Sequence, residues 1–211
     1  MKNNVLIIGD SYSTFKGFIP EDYAFYYSEE EREGTGVTRV EETWWHLLKE
    51  EANLNILLND SWSGSTIGYT GYNGNDTSKS SSFIYRLRRL KENGFFEENR
   101  IDKVFVFGGT NDSWCGAPLG EIKTDNISEN DLYNVLPAIY YFFASLKEFL
   151  PKTKIYCLMN TNLLPEIYDC FNTVCEKLDI LPIKFEHITK NGGHPNIQGM
   201  IDIKNAVLKA L

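Results

Sequence analysis

Positive charge is scarce in this chain: 21 Lys and Arg stand against 29 Asp and Glu, a formal net charge of −8 over 211 residues. Such a balance repels a phosphate backbone unless the basic residues cluster, so no nucleic-acid partner is expected. The one basic cluster, Arg86, Arg88, Arg89 and Lys91, shares its segment with Ile84, Leu87 and Leu90 at helical spacing and reads as the solvated face of an amphipathic helix. The N-terminal apolar stretch Val5–Ile8 stops at Gly9, far short of a signal-peptide core or a membrane span. No membrane partner is therefore expected and, with Met1 as the natural start, the expected location is the cytoplasm. Four cysteines, Cys115, Cys157, Cys170 and Cys175, form no Cys-x-x-Cys pair, which argues for reduced, mostly buried thiols. No G-x-x-x-x-G-K-[ST] phosphate loop occurs, and His187 and His194 lack a third ligand at zinc-site spacing, so no metal is expected.

What the chain does have is an ordinary globular composition, 42% hydrophobic and 24% charged, and enough length to bury one core as a single domain over residues 1–211. Val5–Ile8 is a branched apolar run of the kind buried on both faces of a parallel sheet. Helix over 40–52, strand over 55–58, helix over 80–91 and strand over 103–107 follow by periodicity and β-branched content. A long helix capped by Ser128 or Asn130 runs to about Leu150 and should kink or break at Pro137. Strand over 154–158, helix over 163–178, a weak strand over 181–185 and helix over 197–211 complete the series. Strands alternating with helices predict an α/β fold, three layers deep around a parallel sheet of about five strands. In such sheets the loops leaving the carboxyl ends of the strands form the ligand crevice.

Four of those loops carry chemistry. Gly9-Asp10-Ser11-Tyr12-Ser13 places a serine where a buried strand turns sharply, exposing a hydroxyl and aiming its own backbone N–H at the same spot. The loop after the second strand holds Gly64, whose bare backbone N–H can approach a ligand closely. Gly108-Gly109-Thr110-Asn111-Asp112 follows the third strand and presents an amide. Asn191-Gly192-Gly193-His194-Pro195-Asn196 holds an imidazole in a rigid loop suited to general-base work, whereas His46 and His187 read as structural. Together the loops supply a nucleophile, a base and three oxyanion donors, the parts acyl transfer requires.

These blocks, Gly9-Asp10-Ser11, Gly64, Gly109-x-Asn111-Asp112 and His194, resemble in residue and order those of the SGNH hydrolases, also called GDSL-type esterases and lipases. The resemblance spans nearly the whole chain. It implies a flavodoxin-like three-layer α/β/α fold, no metal or organic cofactor, and ester hydrolysis through an acyl-enzyme on Ser11. His194 would be the base, and the oxyanion would sit among the backbone N–H groups of Ser11 and Gly64 and the Asn111 amide. One departure stands out: the family places an Asp three residues before the histidine, and here that residue is Asn191. Either Asn191 orients the imidazole without a charge, or a backbone carbonyl or another acid completes a Ser-His dyad, or catalysis is slow or absent; the dyad is the favoured reading.

The substrate is less legible. Residues 12–39 are dense in aromatics, and the Gly-, Asn- and Ser-rich loop over 68–82 holds Tyr69 and Tyr72. Aromatic faces beside polar groups suit sugars, with Tyr12, Tyr69 and Trp114 as candidate lining residues, although aromatics in long loops as often pack the loop onto the domain. An acetyl ester of a carbohydrate is the leading substrate class. A thioesterase or lysophospholipase and a ligand-binding relative without turnover are the alternatives. Cys115 as a nucleophile has no supporting second motif, and the sequence is silent on oligomeric state.

Overall fold

The computed structural model describes residues 2–211. Five strands, β1 (Asn3–Gly9), β2 (Leu54–Ser61), β3 (Lys103–Gly108), β4 (Lys154–Met159) and β5 (Leu181–Lys184), form one parallel sheet in the order β2-β1-β3-β4-β5. The period-two alternation of side chains sorts the strands into two cores. Leu6, Ile8, Val104, Val106, Ile155 and Cys157 face one side, where α2 (Phe83–Glu92), α5 (Val135–Phe149) and α6 (Pro165–Leu178) pack. Val5, Ile7, Phe105, Phe107, Tyr156 and Leu158 face the other, covered by α1 (Trp44–Glu51) and α7 (Ile197–Lys209). This is the three-layer arrangement the sequence predicts. Two short helices, α3 (Phe95–Glu98) and α4 (Thr110–Trp114), and a two-residue hairpin, β6 (Lys190–Asn191) with β7 (His194–Pro195), complete the elements named below.

Three sequence readings are corrected. The long helix expected to kink or break at Pro137 divides earlier, at Asn134: a 3-10 turn, Glu129–Tyr133, capped by the Ser128 side chain, precedes α5, which starts at Val135. Pro137 is the third residue of α5, in the first turn, where its missing N–H has no intrahelical acceptor to lose, so nothing kinks. The helix expected from residue 40 divides in the same way, a 3-10 turn over Val40–Glu42 preceding α1.

The third correction concerns Arg86. It is not on a solvated face: it is 1% exposed and pairs with Asp60 on β2, itself buried. Arg88, from the same cluster, is half-buried and binds Glu129 and the hydroxyls of Tyr69 and Tyr141, while Arg89 and Lys91 are exposed. All four cysteines are free.

The chain leaves β1 for β2 on one side of it and, after α2, reaches β3 on the other. The carboxyl ends of β1 and β3 therefore lie at a topological switch point, the place where doubly wound sheets open a crevice.

Candidate active site

Asp10 ends β1 by capping a one-turn 3-10 helix, Ser11–Ser13, with its carboxylate accepting from the Tyr12 N–H at 3.1 Å. The turn lifts Ser11 off the sheet. The chain passes so close to β2 here that a Cβ on Gly9 would lie 2.6 Å from the Ser61 hydroxyl, so this position needs glycine. His194 arrives on the β6–β7 hairpin, and its Nε2 stands 3.0 Å from Ser11 Oγ. Residues 183 apart in sequence thus meet as a hydroxyl–imidazole pair.

Three tyrosines hold the histidine in place. The hydroxyls of Tyr12 and Tyr27 donate to the carbonyls of Gly193 and Pro195 at 2.6 and 2.7 Å, clamping the peptide on either side of it. The Tyr26 ring stacks on the imidazole, with centroids 3.5 Å apart and planes 12° from parallel. Behind the ring, Nδ1 faces the Gly192 carbonyl at 3.4 Å.

The oxyanion candidates converge from two further loops. Asn111, on α4, donates one amide N–H to the Ser65 carbonyl at 2.9 Å, and its Oδ1 accepts from the Tyr72 hydroxyl at 2.9 Å. That fixes the amide orientation and leaves its second N–H free. Gly64 neighbours Ser65 at φ +78° in an exposed turn, and no hydrogen bond among the described residues takes its backbone N–H or that of Ser11. Asp112 supports the same loop from beneath, its carboxylate accepting from the N–H groups of Ile67 and Gly68.

The family model for GDSL-like lipases and acylhydrolases matches residues 3–211, nearly the whole chain. The chain belongs to this family. The fold places it beside a candidate GDSL-like lipase from Bacteroides ovatus, at 37% identity and TM-score 0.91, covering 99% of this chain and 97% of that one. A candidate GDSL-like lipase from Bacteroides uniformis is equally similar, at 39% identity and TM-score 0.91, with 100% and 95% covered. An acetyl xylan esterase from Butyrivibrio proteoclasticus shares the fold at 16% identity and TM-score 0.61, with 98% of this chain and 62% of that one covered. No curated protein matches the chain. As a GDSL-family acylhydrolase it acts on esters.

Within this acylhydrolase, some candidate residues sit where the sequence suggested and others do not. Asn191 makes no hydrogen bond to the imidazole: its amide donates to the Gly34 carbonyl at 2.6 Å and its carbonyl accepts from Asn196. Asn191 lies directly opposite His194 across the hairpin, on the same face, but its side chain is drawn off by the bonds to Gly34 and Asn196. Tyr12 and Tyr69 do not line a surface. Tyr12 is fully buried, and the Tyr69 ring is buried with its hydroxyl on Arg88 and Glu129. Trp114 is 47% exposed and its ring edge lies 3.7 Å from where a Cβ on Gly193 would sit, at the rim of the histidine loop. Most aromatics of residues 12–39, Phe15, Tyr26 and Tyr27 among them, pack the loop down, while Phe18 and Phe25 stay exposed.

Sequence reasoning missed two site residues, Arg86 and Tyr26. Arg86 donates to the Gly9 carbonyl at 3.1 Å, the Ser65 hydroxyl at 3.4 Å, the Ser81 carbonyl at 3.0 Å, and Asp60, so one guanidinium ties the serine loop to the oxyanion loop. Only its helical spacing hinted at burial, Arg86 lying three residues after Phe83 and four before Leu90.

Burial dominates the electrostatics. It drives the His194 imidazole down to about 4, with Arg32 and Lys190 pushing the same way and the Gly192 carbonyl and Glu33 opposing, so near neutral pH the ring is uncharged and able to accept a proton. Burial also pushes Asp10 up to about 7 and Asp112 up to about 6, while their hydrogen bonds to the Tyr12, Ile67 and Gly68 N–H groups make them loop-shaping carboxyls. A cavity of about 550 Å³ between β5 and α7, and an apolar one of about 460 Å³ by Phe18, Trp45 and Leu58, contain neither Ser11 nor His194.

Proposed function

We propose that this acylhydrolase removes small O-acyl groups, acetyl foremost, from carbohydrate alcohols through an acyl-enzyme on Ser11, with His194 as its base. The observation that carries this reading is the 3.0 Å approach of Ser11 Oγ to an imidazole whose Nε2 is free to accept. In the first step Ser11 Oγ attacks the acyl carbon while its proton passes to Nε2, which then gives it to the departing alcohol. Water repeats the sequence on the acyl-enzyme and releases the acid. The backbone N–H groups of Ser11 and Gly64 and the free Asn111 N–H receive the oxyanion, each such donor worth roughly 3–4 kcal/mol of barrier. Tyr72 aligns the Asn111 amide through its hydroxyl.

The carbohydrate reading rests on Trp114 and Tyr72, exposed rings beside the histidine and Asn111 loops. The distant fold relationship to an acetyl xylan esterase is consistent with it. The glycan or other ester would be a freely diffusing partner, with no cofactor.

The test is hydrolysis of p-nitrophenyl acetate, butyrate and octanoate by the wild type and by Ser11→Ala and His194→Ala. Expected is turnover that falls with chain length and that either substitution lowers by at least roughly 10³-fold. Octanoate as the best substrate would replace the acetyl reading with the thioesterase or lysophospholipase one. Wild-type rates equal to those of Ser11→Ala would end the catalytic reading and leave ligand binding. Asn191→Asp removes the amide that donates to the Gly34 carbonyl, and a gain in turnover would show that a carboxylate opposite His194 serves the imidazole.

A further inference from the structure

The imidazole of His194 has no carboxylate behind it. Its Nδ1 meets only the Gly192 carbonyl at 3.4 Å, longer than an ordinary N–H···O bond, and Asn191 is committed elsewhere. Yet a base that takes a proton from Ser11 must become imidazolium in a half-buried place, where the charge is costly without a partner. The stacked Tyr26 ring is the group in closest parallel contact with it, at 3.5 Å, and the Tyr26 hydroxyl donates to the Glu33 carboxylate at 2.8 Å. A cation is attracted to the face of an aromatic ring, and a hydrogen bond from the phenol to a carboxylate enriches that face in electrons.

Resting on the Ser11–His194 reading, we propose that Tyr26 and Glu33 replace the missing carboxylate, the Tyr26 ring orienting the imidazole and stabilising its cation, and Glu33 supplying the negative charge through the Tyr26 hydroxyl.

Local backbone geometry fits that role. Glu33 is held in the left-handed region at φ +55°, a conformation non-glycine residues adopt only where surroundings impose it. A Cβ on Gly192 would overlap the Glu33 side chain, so the glycine beside the histidine lets the carboxylate lie against the hairpin. The other charges around His194 are Arg32, whose guanidinium lies 4.5 Å from the Tyr26 ring centroid, and Lys190. Because the imidazole occupies one face of the ring, Arg32 takes the other. Arg32 and Lys190 disfavour imidazolium and Glu33 favours it, so the resting ring stays neutral while the cation keeps one anionic partner. Tyr26 and Glu33 are positioning residues that act through His194.

The experiment compares Tyr26→Phe, Glu33→Gln and the double variant with wild type, using p-nitrophenyl acetate kinetics from pH 3.5 to 8 and ¹³C-histidine NMR titration, with His194→Ala identifying the resonance. Each single substitution keeps the stack and severs the link to the carboxylate. Expected for each is a kcat lowered roughly 3–10-fold with KM little changed, and an acidic limb and His194 titration both displaced to lower pH. The double variant is expected to be no slower than either single one, because both act through the same hydrogen bond. A titration and kcat unmoved in both single variants, or losses that multiply in the double, would overturn the proposal. Activity indifferent to Ser11→Ala would instead overturn the reading beneath it. Tyr26→Leu, followed by circular dichroism, separates loss of the ring from loss of fold, and a folded Tyr26→Leu protein with wild-type kcat also rejects the role.

Discussion

Ser65 takes one of the two N–H bonds of the Asn111 amide, Tyr72 fills its carbonyl, and the remaining N–H has a fixed direction. Preorganisation of this kind lowers a barrier without reorganisation at the moment of reaction. Asn111→Ala is therefore expected to lower kcat by roughly 10²–10³ and to leave KM within a few-fold, measured on p-nitrophenyl acetate. Titration gives a second residue-scale expectation. His194 works as a base only when neutral and its folded value is about 4, so kcat/KM should hold its plateau down to about pH 5 and fall as pH drops through about 4. Asp10 gives a third. Its carboxyl moves from 3.8 to about 7 on burial, so the native state keeps the proton longer than the unfolded chain and stability falls as pH rises from about 4 to 7. Asp112, at about 6, acts in the same direction, and His194 acts oppositely between about 4 and 6.5. Melting of the wild type at pH 5 and pH 8 should show a drop that Asp10→Asn reduces, and an equal drop in both would reject Asp10 as its source.

At the scale of elements, α2 and the β6–β7 hairpin do more for the site than their lengths suggest. Arg86 projects from α2 across the ends of β1 and β2 and compensates the buried charge of Asp60. Removing one partner of a buried pair strands the other, so Arg86→Met should cost about 3–5 kcal/mol in urea unfolding, and Asp60→Asn added to it should recover part of that loss. The hairpin is anchored at its exit by Asn196, which caps α7 through the Gly199 N–H at 3.0 Å. Asn196→Ala should cost roughly 1 kcal/mol, a fall of about 2–4 °C in Tm for a chain of this size. The elements themselves were largely legible. Branched apolar runs marked β1, β3 and β4 because strands buried on both faces need apolar residues at every position. Pro137 misled because periodicity locates a helix but not its first residue, and a proline changes meaning between first turn and interior.

Over the whole molecule, alternating side chains divide the sheet between two cores, and the order β2-β1-β3-β4-β5 brings loops scattered along the chain to one edge. The sequence alone determined the alternation of strands and helices, hence the layered parallel sheet, because burial on both faces and helical periodicity are written locally. It also determined the residue types of Ser11, Gly64, Asn111 and His194 and the strand ends they follow, because glycine-bounded loops after buried strands are visible without a structure. Tertiary structure decided the partners of those residues. Arg86 looked like a surface charge until Asp60 from β2 neutralised it, and Tyr12 and Tyr69 looked like lining residues until their rings were covered. Asn191 looked like the partner of His194 until the Gly34 carbonyl, 157 residues away in sequence, took its amide, and Tyr26 reached the imidazole from 168 residues away. Local sequence fixes which groups a segment can offer. Which group meets which depends on contacts between distant segments, and those exist only once the sheet has brought the loops together.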